Sequence, residues 1–245
     1  SNMKTFAEKD GNNFIVNGTK NWVTSGQNSD LVIFFCVTEK AAGSRGISAF
    51  IIEKGTPGLT VGKKENKLGI RASDTCEIYF DNCKISEENL IGDEGQGFSI
   101  AMKALGGGRI GIAAQSVGLA RSALDKAISY SKEREQFGQP IGNFGAIQNK
   151  IADMATNIDA ARLLVWKAAI LKDQSKDYAK ESSMAKLFAS STAMSAASDC
   201  VQIHGGYGYM QEYGVERLMR DAKITEIYEG TSEIQRLVIS RDLIQ

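Results

Sequence analysis

The chain has 245 residues, of which 42% are hydrophobic, and its 29 basic and 29 acidic side chains give a formal net charge of zero. This length and hydrophobic content are enough for one large or two medium domains with buried cores. Proteins that bind nucleic acid usually show a basic excess or a basic patch, and this chain has neither. We therefore expect a small-molecule ligand and no nucleic-acid partner.

The four cysteines and the single histidine lack the spacing of a disulfide framework or a zinc site. No C-x-x-C pair occurs among Cys36, Cys76, Cys83 and Cys200. The longest apolar run, Leu31–Val37, has the length of a strand and is too short to span a membrane. We expect reduced thiols, no metal site, no membrane partner and a soluble protein.

The first part of the chain, up to about Gly92, alternates short apolar runs with turn signals such as Asp10-Gly11. These runs are rich in β-branched and aromatic residues, which favour strands. We place strands at residues 14–16, 21–24, 31–37, 47–52 and 77–80. The pattern predicts a β domain over residues 1–92, built as a small antiparallel barrel or sandwich.

From Gly97 onward, apolar residues recur at helical spacing among many alanines, lysines, glutamates, leucines and methionines. We expect helices at residues 97–132, 144–173, 177–203 and 231–243, with loops at 131–143 and 204–214. Four long helices predict a bundle domain over residues 93–245. The predicted fold class is therefore a two-domain α+β protein.

Residues 227–236 place a carboxylate, Glu229, in a glycine-bearing loop immediately before a predicted helix. Ser232 and Gln235 have the spacing of a capping box, which marks the start of that helix. An apolar pocket around the carboxylate would raise its pKa toward the range of a general base. The alternative is a solvated loop carboxylate, favoured by the dipole of the following helix.

Residues 106–111 match the G-x-G-x-x-G fingerprint of dinucleotide-binding proteins. They follow a helical run, whereas the fingerprint requires a preceding strand, so close backbone approach explains the glycines better. Arg109 is the only charged residue between Ala104 and Ala120. If this helix is buried, the guanidinium needs a carboxylate, backbone carbonyls or a ligand.

Several segments together resemble the acyl-CoA dehydrogenase family over essentially the whole chain. They are Trp-x-Thr at residues 22–24, Glu-Arg-x-x-Phe-Gly at 133–138, Gln-x-x-Gly-Gly at 202–206 and Tyr-Glu-Gly-Thr at 228–231. The resemblance implies that Glu229 removes the α-proton of an acyl-CoA thioester while FAD accepts the β-hydride. It further implies a flavoprotein of fatty acid β-oxidation that passes its electrons to an electron-transfer flavoprotein.

The resemblance also implies which residues bind each ligand. Arg109, Tyr228 and Gly230 would contact the acyl-CoA substrate. Contacts to FAD are implied for Trp22, Thr24, Arg134, Phe137, Gln202, Gly205, Gly206, Thr231 and Glu233. Because part of this set reaches a cofactor in a neighbouring subunit, a homodimer or homotetramer is implied.

Four positions refine the comparison with the family. Glutamate at 229 combined with glycine at 108 resembles the short- and medium-chain types, since isovaleryl and long-chain types carry the base at the position of Gly108. Gly106 replaces the aspartate of the family's Asp-x-x-Arg pattern, which predicts altered pantetheine binding. His204 has no partner in the motif, and we expect it to be a capping or packing residue.

Compared with the family pattern, the chain lacks the N-terminal helical domain and the first part of the middle domain. We therefore expect this chain alone to bind FAD poorly and to turn over little or nothing. The resemblance implies the cytoplasm for a bacterial protein and the mitochondrial matrix for a eukaryotic one. Two other functions stay open: an acyl-CoA oxidase or related flavoenzyme, and a catalytically silent helical-bundle scaffold for a partner protein.

Overall fold

The computed structural model describes residues 3–244 and divides them into two compact units. The first unit runs to Lys67 and includes Arg71–Ala104, and the second comprises Leu68–Ile70 and the chain from Leu105 onward. This change of unit falls inside a helix. The domain boundary placed at residues 92 and 93 stays a prediction.

A six-stranded sheet forms the first unit, in the order β4-β3-β1-β2-β6-β5. Its strands are β1 (Phe6–Asp10), β2 (Asn13–Thr24), β3 (Leu31–Val37), β4 (Ile47–Glu53), β5 (Leu59–Val61) and β6 (Thr75–Ser86). Neighbouring strands are antiparallel except β1 and β3, which pair in parallel at Phe6 and Val37. The predicted fold class is confirmed, and the sheet is mixed because of that one pair.

Three strands differ from the sequence-based expectation for identifiable reasons. The predicted strands at residues 14–16 and 21–24 are one long strand, β2, whose pairing with β6 is irregular between Lys20 and Val23. Strand β1 was not predicted, because its sequence is mostly charged and exposed and it joins the sheet through its backbone. Strand β5 has only three residues, too few to show an alternating pattern.

The core of the first unit is built around aromatic rings. Phe50 is completely buried, and its ring centroid lies 5.0 Å from that of Phe14 in an edge-on arrangement and 5.7 Å from that of Phe34 in a stacked one. Edge-on and offset-stacked pairs of this kind stabilise a core beyond the area they bury. These contacts join β2, β3 and β4.

Five α-helices lie within residues 3–244. They are α1 (Gly97–Glu133), α2 (Gly145–Asp173), α3 (Ala179–His204), α4 (Val215–Thr225) and α5 (Ser232–Ile244). The four predicted helices agree with α1, α2, α3 and α5 to within about two residues at each end. A small hairpin, β7 (Glu135–Gln136) with β8 (Gln139–Pro140), lies in the connection from α1 to α2 that was expected to be a loop.

Helix α4 was missed because it is short and rich in charge. Its buried positions, Val215, Leu218, Ala222 and Thr225, do have helical spacing, but they span only three turns. The helical cores are lined largely by alanine, which allows close helix approach. No helix within residues 3–244 has both the length and the apolar character needed to cross a bilayer.

All four cysteines are buried with free thiols. Burial raises the pKa of Cys36 to about 12 and that of Cys200 to about 11. A buried thiol with a raised pKa carries little reactive thiolate. These cysteines are therefore structural, as the sequence suggested.

Substituting Phe50 with alanine should destabilise the protein strongly, because the cavity would lie at the centre of the sheet core. We expect the free energy of unfolding to fall by roughly 3–5 kcal/mol in urea denaturation followed by circular dichroism. The matched control is Phe6→Ala, since Phe6, on strand β1 of the same sheet, is 42% exposed. Equal losses in the two variants would contradict the assignment of the core.

Candidate active site

The Glu229 carboxylate faces a gap in helix α1 at Gly108. A Cβ atom at position 108 would collide with Oε2 of Glu229. Glycine at 108 therefore allows the close approach of the carboxylate, and a larger residue would displace it, which accounts for one member of the glycine triplet. The neighbouring Gly106 has the ring of Tyr178 beside it, 3.2 Å from where a Cβ would lie.

The backbone of the Glu229 loop is left-handed at two successive residues. The φ angle is 54° at Glu229 and 92° at Gly230. Glycine adopts such angles freely, whereas a glutamate does so only when its surroundings impose the conformation. The conformation of this loop is therefore set by contacts from outside it.

Those contacts converge on the carbonyl oxygen of Gly230. Lys186 of α3 donates to it from Nζ at 2.7 Å, and Gln235 of α5 donates from Nε2 at 2.8 Å. The same amide of Gln235 also lies 3.2 Å from the carbonyl oxygen of Glu229. Two helices thus hold the peptide that follows the carboxylate.

Lys186 is fully buried, which is rare for a lysine. Burial lowers its pKa from an ordinary value of 10.5 to about 8. The carboxylates of Glu226, Glu229 and Glu233 oppose this shift, while the nearby Arg109 adds to it. The amine therefore lies in a region from which water is largely excluded, with negative charge close by.

Arg109 is 8% exposed and lies next to the Gly108 gap. Its Nη1 donates to Oγ of Ser183 at 3.3 Å, and its Nε has no hydrogen-bond partner among the residues that the structure describes. Burial lowers the pKa of this guanidinium, and the Glu229 carboxylate partly opposes the effect. A buried guanidinium with an unused donor is able to bind a ligand.

Tyr228 fixes the loop to α1 from the other side. Its hydroxyl donates to Oε1 of Gln115, and burial raises the pKa of the phenol. The three residues predicted to contact substrate, Arg109, Tyr228 and Gly230, are thus all brought to the loop and helix that hold Glu229.

The predicted capping box at the start of α5 is wrong by one residue. Thr231 caps the helix, its Oγ1 accepting from the amide of Ile234 at 3.5 Å. Ser232 instead donates weakly to the carbonyl of Glu226, at 3.4 Å. The Gln235 side chain turns toward the Glu229 loop, where its Nε2 donates to the carbonyls of Glu229 and Gly230.

A second feature, which we call the glycine cavity, lies at the C-terminal end of α3 and has a volume of about 570 Å³. The residues that line it include Tyr130, Arg134, His204, Gly205, Gly206 and Tyr207. Neither Gly205 nor Gly206 has any atom within 4 Å of the place where a Cβ would stand. A ligand could therefore approach the backbone closely at both glycines.

The glycine cavity is electropositive. Arg134 is the only charged group among the described residues that line it, and its guanidinium lies 5.5 Å from the centre of the Tyr207 ring. His204 is buried, its ring centroid 4.1 Å from that of Tyr130, and its Nδ1 lies 2.8 Å from the carbonyl oxygen of Cys200. Burial lowers the pKa of His204, so it is a neutral packing residue, as expected.

Four other predicted cofactor residues are Phe137, Gln202, Trp22 and Thr24. Phe137 is 93% exposed, and Gln202 precedes the glycine cavity on α3. Trp22 and Thr24 belong to the first unit, on strand β2, where Trp22 is 74% exposed and has a φ angle of 60°. Trp22 is therefore not a core residue of its sheet.

The Glu229 site and the glycine cavity are at opposite ends of helix α3. Seventeen positions separate Lys186 from Ile203 in α3, which corresponds to about 26 Å at a rise of about 1.5 Å per residue. The residues predicted to bind FAD within this unit therefore do not form a single cluster. Thr231 and Glu233 lie at the Glu229 end, and Arg134, Gly205 and Gly206 at the other.

Sequence reasoning missed Lys186 and the true role of Gln235. A signal for Lys186 exists in the sequence of α3, since it lies among small residues at buried positions, including Ser182, Ser183, Ala189 and Ser190. A lysine on such a helix face must have an internal partner, because its charge cannot be left unpaired there. The identity of that partner, a backbone carbonyl 44 residues away, is visible only in the fold.

Residues 95–244 match the family model for the acyl-CoA dehydrogenase C-terminal domain, and residues 1–83 match that for the middle domain. The chain is 54% identical to an acyl-CoA dehydrogenase of Bacillus subtilis over 99% of its length. It is 50% identical to the mitochondrial short-chain specific acyl-CoA dehydrogenase of Rattus norvegicus over 98% of its length. The structure of butyryl-CoA dehydrogenase from Megasphaera elsdenii superimposes on 99% of the chain, with a TM-score of 0.98 and 49% identity.

The chain is shorter than these relatives. It spans 64% of the Bacillus subtilis protein, 58% of the rat protein and 64% of the Megasphaera elsdenii chain.

The lowered pKa of Lys186 predicts a specific pH dependence of stability. Between pH 8 and 10.5 the unfolded chain retains a proton that the folded protein has lost, so stability should rise with pH in that window. Relative to Lys186→Met, the wild type should gain up to about 1.4 kcal/mol per pH unit. Urea denaturation of both proteins at several pH values measures this difference, and a flat or falling difference would contradict it.

Proposed function

This chain belongs to the acyl-CoA dehydrogenase family, and we propose that it supplies the catalytic base of an FAD-dependent dehydrogenase acting on short- or medium-chain acyl-CoA. The product would be the trans-2-enoyl-CoA. The observation that carries this proposal is the Glu229 carboxylate, which a constrained loop holds against a helix position where a Cβ would displace it.

Glu229 is proposed to take the α-proton of the substrate. The thioester makes that proton acidic, and a carboxylate held in place converts proton removal into an intramolecular step. When bound, FAD supplies the acceptor for the hydride that leaves the β-carbon. The contribution of the chain is to keep the carboxylate in the Gly108 gap.

Three groups around Glu229 are proposed to bind the acyl-CoA. Arg109 has an unused N–H at Nε, while its Nη1 donates to Ser183, and Tyr228 and Gly230 belong to the loop that carries Glu229. Gly106 stands where the family pattern has an aspartate, and a side chain added there would meet the Tyr178 ring. The pantetheine contact made by that aspartate is therefore proposed to be absent here.

The glycine cavity fits a phosphate-bearing part of FAD. Arg134 offers the bidentate donor geometry that phosphate favours, and the bare backbone at Gly205 and Gly206 allows close approach. Phe137 and Gln202 are proposed to complete this contact. Thr231 and Glu233, at the N-terminus of α5, are proposed to contact FAD. Trp22 and Thr24, in the first unit, are proposed to contact FAD as well.

The separation of about 26 Å along α3 supports a cofactor site shared between two copies of the chain. In such an arrangement the Glu229 end of one copy and the glycine cavity of another contact different parts of one FAD. A homodimer or homotetramer is therefore proposed. The electron-transfer flavoprotein is proposed as the partner that reoxidises the flavin.

Since the chain spans 64% of the Bacillus subtilis relative, activity should be measured in two forms. One is the chain itself, for which low turnover stays a prediction. The other is a fusion in which the remaining part of that relative precedes the chain. Both are assayed with FAD, butyryl-CoA and an artificial electron acceptor.

Replacing Glu229 with glutamine should leave the fold intact and nearly abolish dehydrogenation. Loss of a positioned general base commonly costs about 10²–10⁴-fold in rate. Dye reduction with butyryl-CoA measures the rate, and circular dichroism checks the fold. Wild-type turnover in the folded Glu229→Gln variant would show that another group is the base.

Adding a methyl group at position 108 should lower activity by displacing the Glu229 carboxylate. We expect Gly108→Ala to reduce kcat at least about tenfold, since a misplacement near 1 Å can cost about 10²-fold. The matched control is Gly111→Ala on the same helix, where no atom lies within 4 Å of the new Cβ. That variant should keep its activity and gain roughly 0.5–1 kcal/mol of stability. Equal activity losses in both variants would contradict the claim that a side chain at position 108 displaces the Glu229 carboxylate.

A further inference from the structure

We propose that Lys186 is a positioning residue for the catalytic carboxylate. By donating to the Gly230 carbonyl, it holds the left-handed backbone that directs Glu229 into the Gly108 gap. This inference rests on the proposed role of Glu229 as the base. It assigns Lys186 to the reaction without requiring any contact between Lys186 and the substrate.

The burial of Lys186 needs a reason other than stability. Taking an ammonium group out of water costs several kcal/mol unless its partners compensate. Lys186 has no ion-pair partner within 4.0 Å among the residues that the structure describes, and its hydrogen bond is to one carbonyl. An apolar side chain of similar length, such as methionine, would fill the same space without that cost.

The strained loop supplies that reason. A non-glycine residue in the left-handed region costs on the order of 1–3 kcal/mol and persists only where its surroundings impose it. Glu229 is such a residue, and the next carbonyl along the chain receives two donors, one from α3 and one from α5. These two donors fill both lone pairs of the Gly230 oxygen, so the peptide plane has little freedom to rotate.

One face of α3 organises both sides of the site. Ser183 and Lys186 are three residues apart and therefore lie on the same helix face. Ser183 accepts a hydrogen bond from Arg109, next to the Gly108 gap, while Lys186 holds the loop that carries Glu229. Neighbouring residues of α3 thus contact both Arg109, beside the gap, and the loop that carries the carboxylate.

Lys186 also supplies a positive charge, which Gln235, the other donor to the Gly230 carbonyl, does not. The charged groups around its amine are Glu226, Glu229, Glu233 and Arg109. Gln235 donates to the same carbonyl but is neutral, so the two residues share the hydrogen-bonding role and differ in charge. A comparison of the two therefore separates positioning by the hydrogen bond from the effect of the charge.

The test compares Lys186→Met, Gln235→Leu and Glu229→Gln with the wild type in both protein forms described above. Amide hydrogen exchange over residues 227–232 measures the order of the loop, and needs neither substrate nor turnover. Steady-state kinetics with butyryl-CoA give kcat, KM and the pH profile of kcat. Thermal unfolding checks that each variant is folded.

For Lys186→Met we expect loop exchange at least tenfold faster, kcat at least tenfold lower and KM within about threefold of the wild type. Gln235→Leu should show faster exchange and a smaller loss of kcat, because it removes a donor to the Gly230 carbonyl but no charge. A purely structural role of Lys186 would lower thermal stability without separating kcat from KM in this way.

A folded Lys186→Met variant with wild-type loop exchange, or with wild-type kcat, overturns the proposal. If that variant does not fold, Lys186→Leu, which also lacks a hydrogen-bond donor, takes its place with the same criteria. Wild-type turnover in Glu229→Gln would instead overturn the proposed base, and loop exchange would still decide whether Lys186 holds the loop. An inactive Glu229→Gln beside a fully active Lys186→Met contradicts the role of Lys186 alone.

Discussion

The approach of the Glu229 carboxylate to the bare backbone of α1 at Gly108 is the constraint on which the rest of the site depends. Glycine on the helix allows this approach, and the loop that carries Glu229 has a left-handed backbone, which is locally unfavourable. That backbone persists only where other contacts impose it. Those contacts come from Lys186 and Gln235, two buried side chains whose polar atoms converge on one carbonyl oxygen.

Helix α3 connects the two features that are proposed to carry chemistry. Near its start, Ser183 and Lys186 locate Arg109 and the Glu229 loop, and at its end the chain turns through Gly205 and Gly206 into an electropositive cavity. The helix is lined by alanine and serine, whose small side chains allow its neighbours to approach closely. Its length sets the distance between the two features and so supports a cofactor site completed by a second copy of the chain.

Much of this architecture could be predicted from the sequence. Long helices with helical apolar spacing, such as α1 and α2, were located almost to the residue, and the family was recognised from short motifs such as the one around Glu229. Elements held by backbone pairing or by few apolar positions, such as β1 and α4, were not located. The role of Lys186 could not be read either, because its partner is a carbonyl far away in sequence that no side-chain pattern reveals. The cap of α5 was misplaced by one residue, since Gln235 faces the loop carbonyls instead of the helix N-terminus.

The most direct test of the account is the flavin absorbance spectrum of the FAD-loaded protein, recorded anaerobically before and after addition of butyryl-CoA. The fusion carrying the remaining part of the Bacillus subtilis relative provides the sample, and butyryl-CoA deuterated at the α-carbon provides the comparison. The account predicts bleaching of the flavin band, with a slower rate for the deuterated substrate because the α-proton is removed in that step. A protein that binds flavin but shows no bleaching with butyryl-CoA would contradict it.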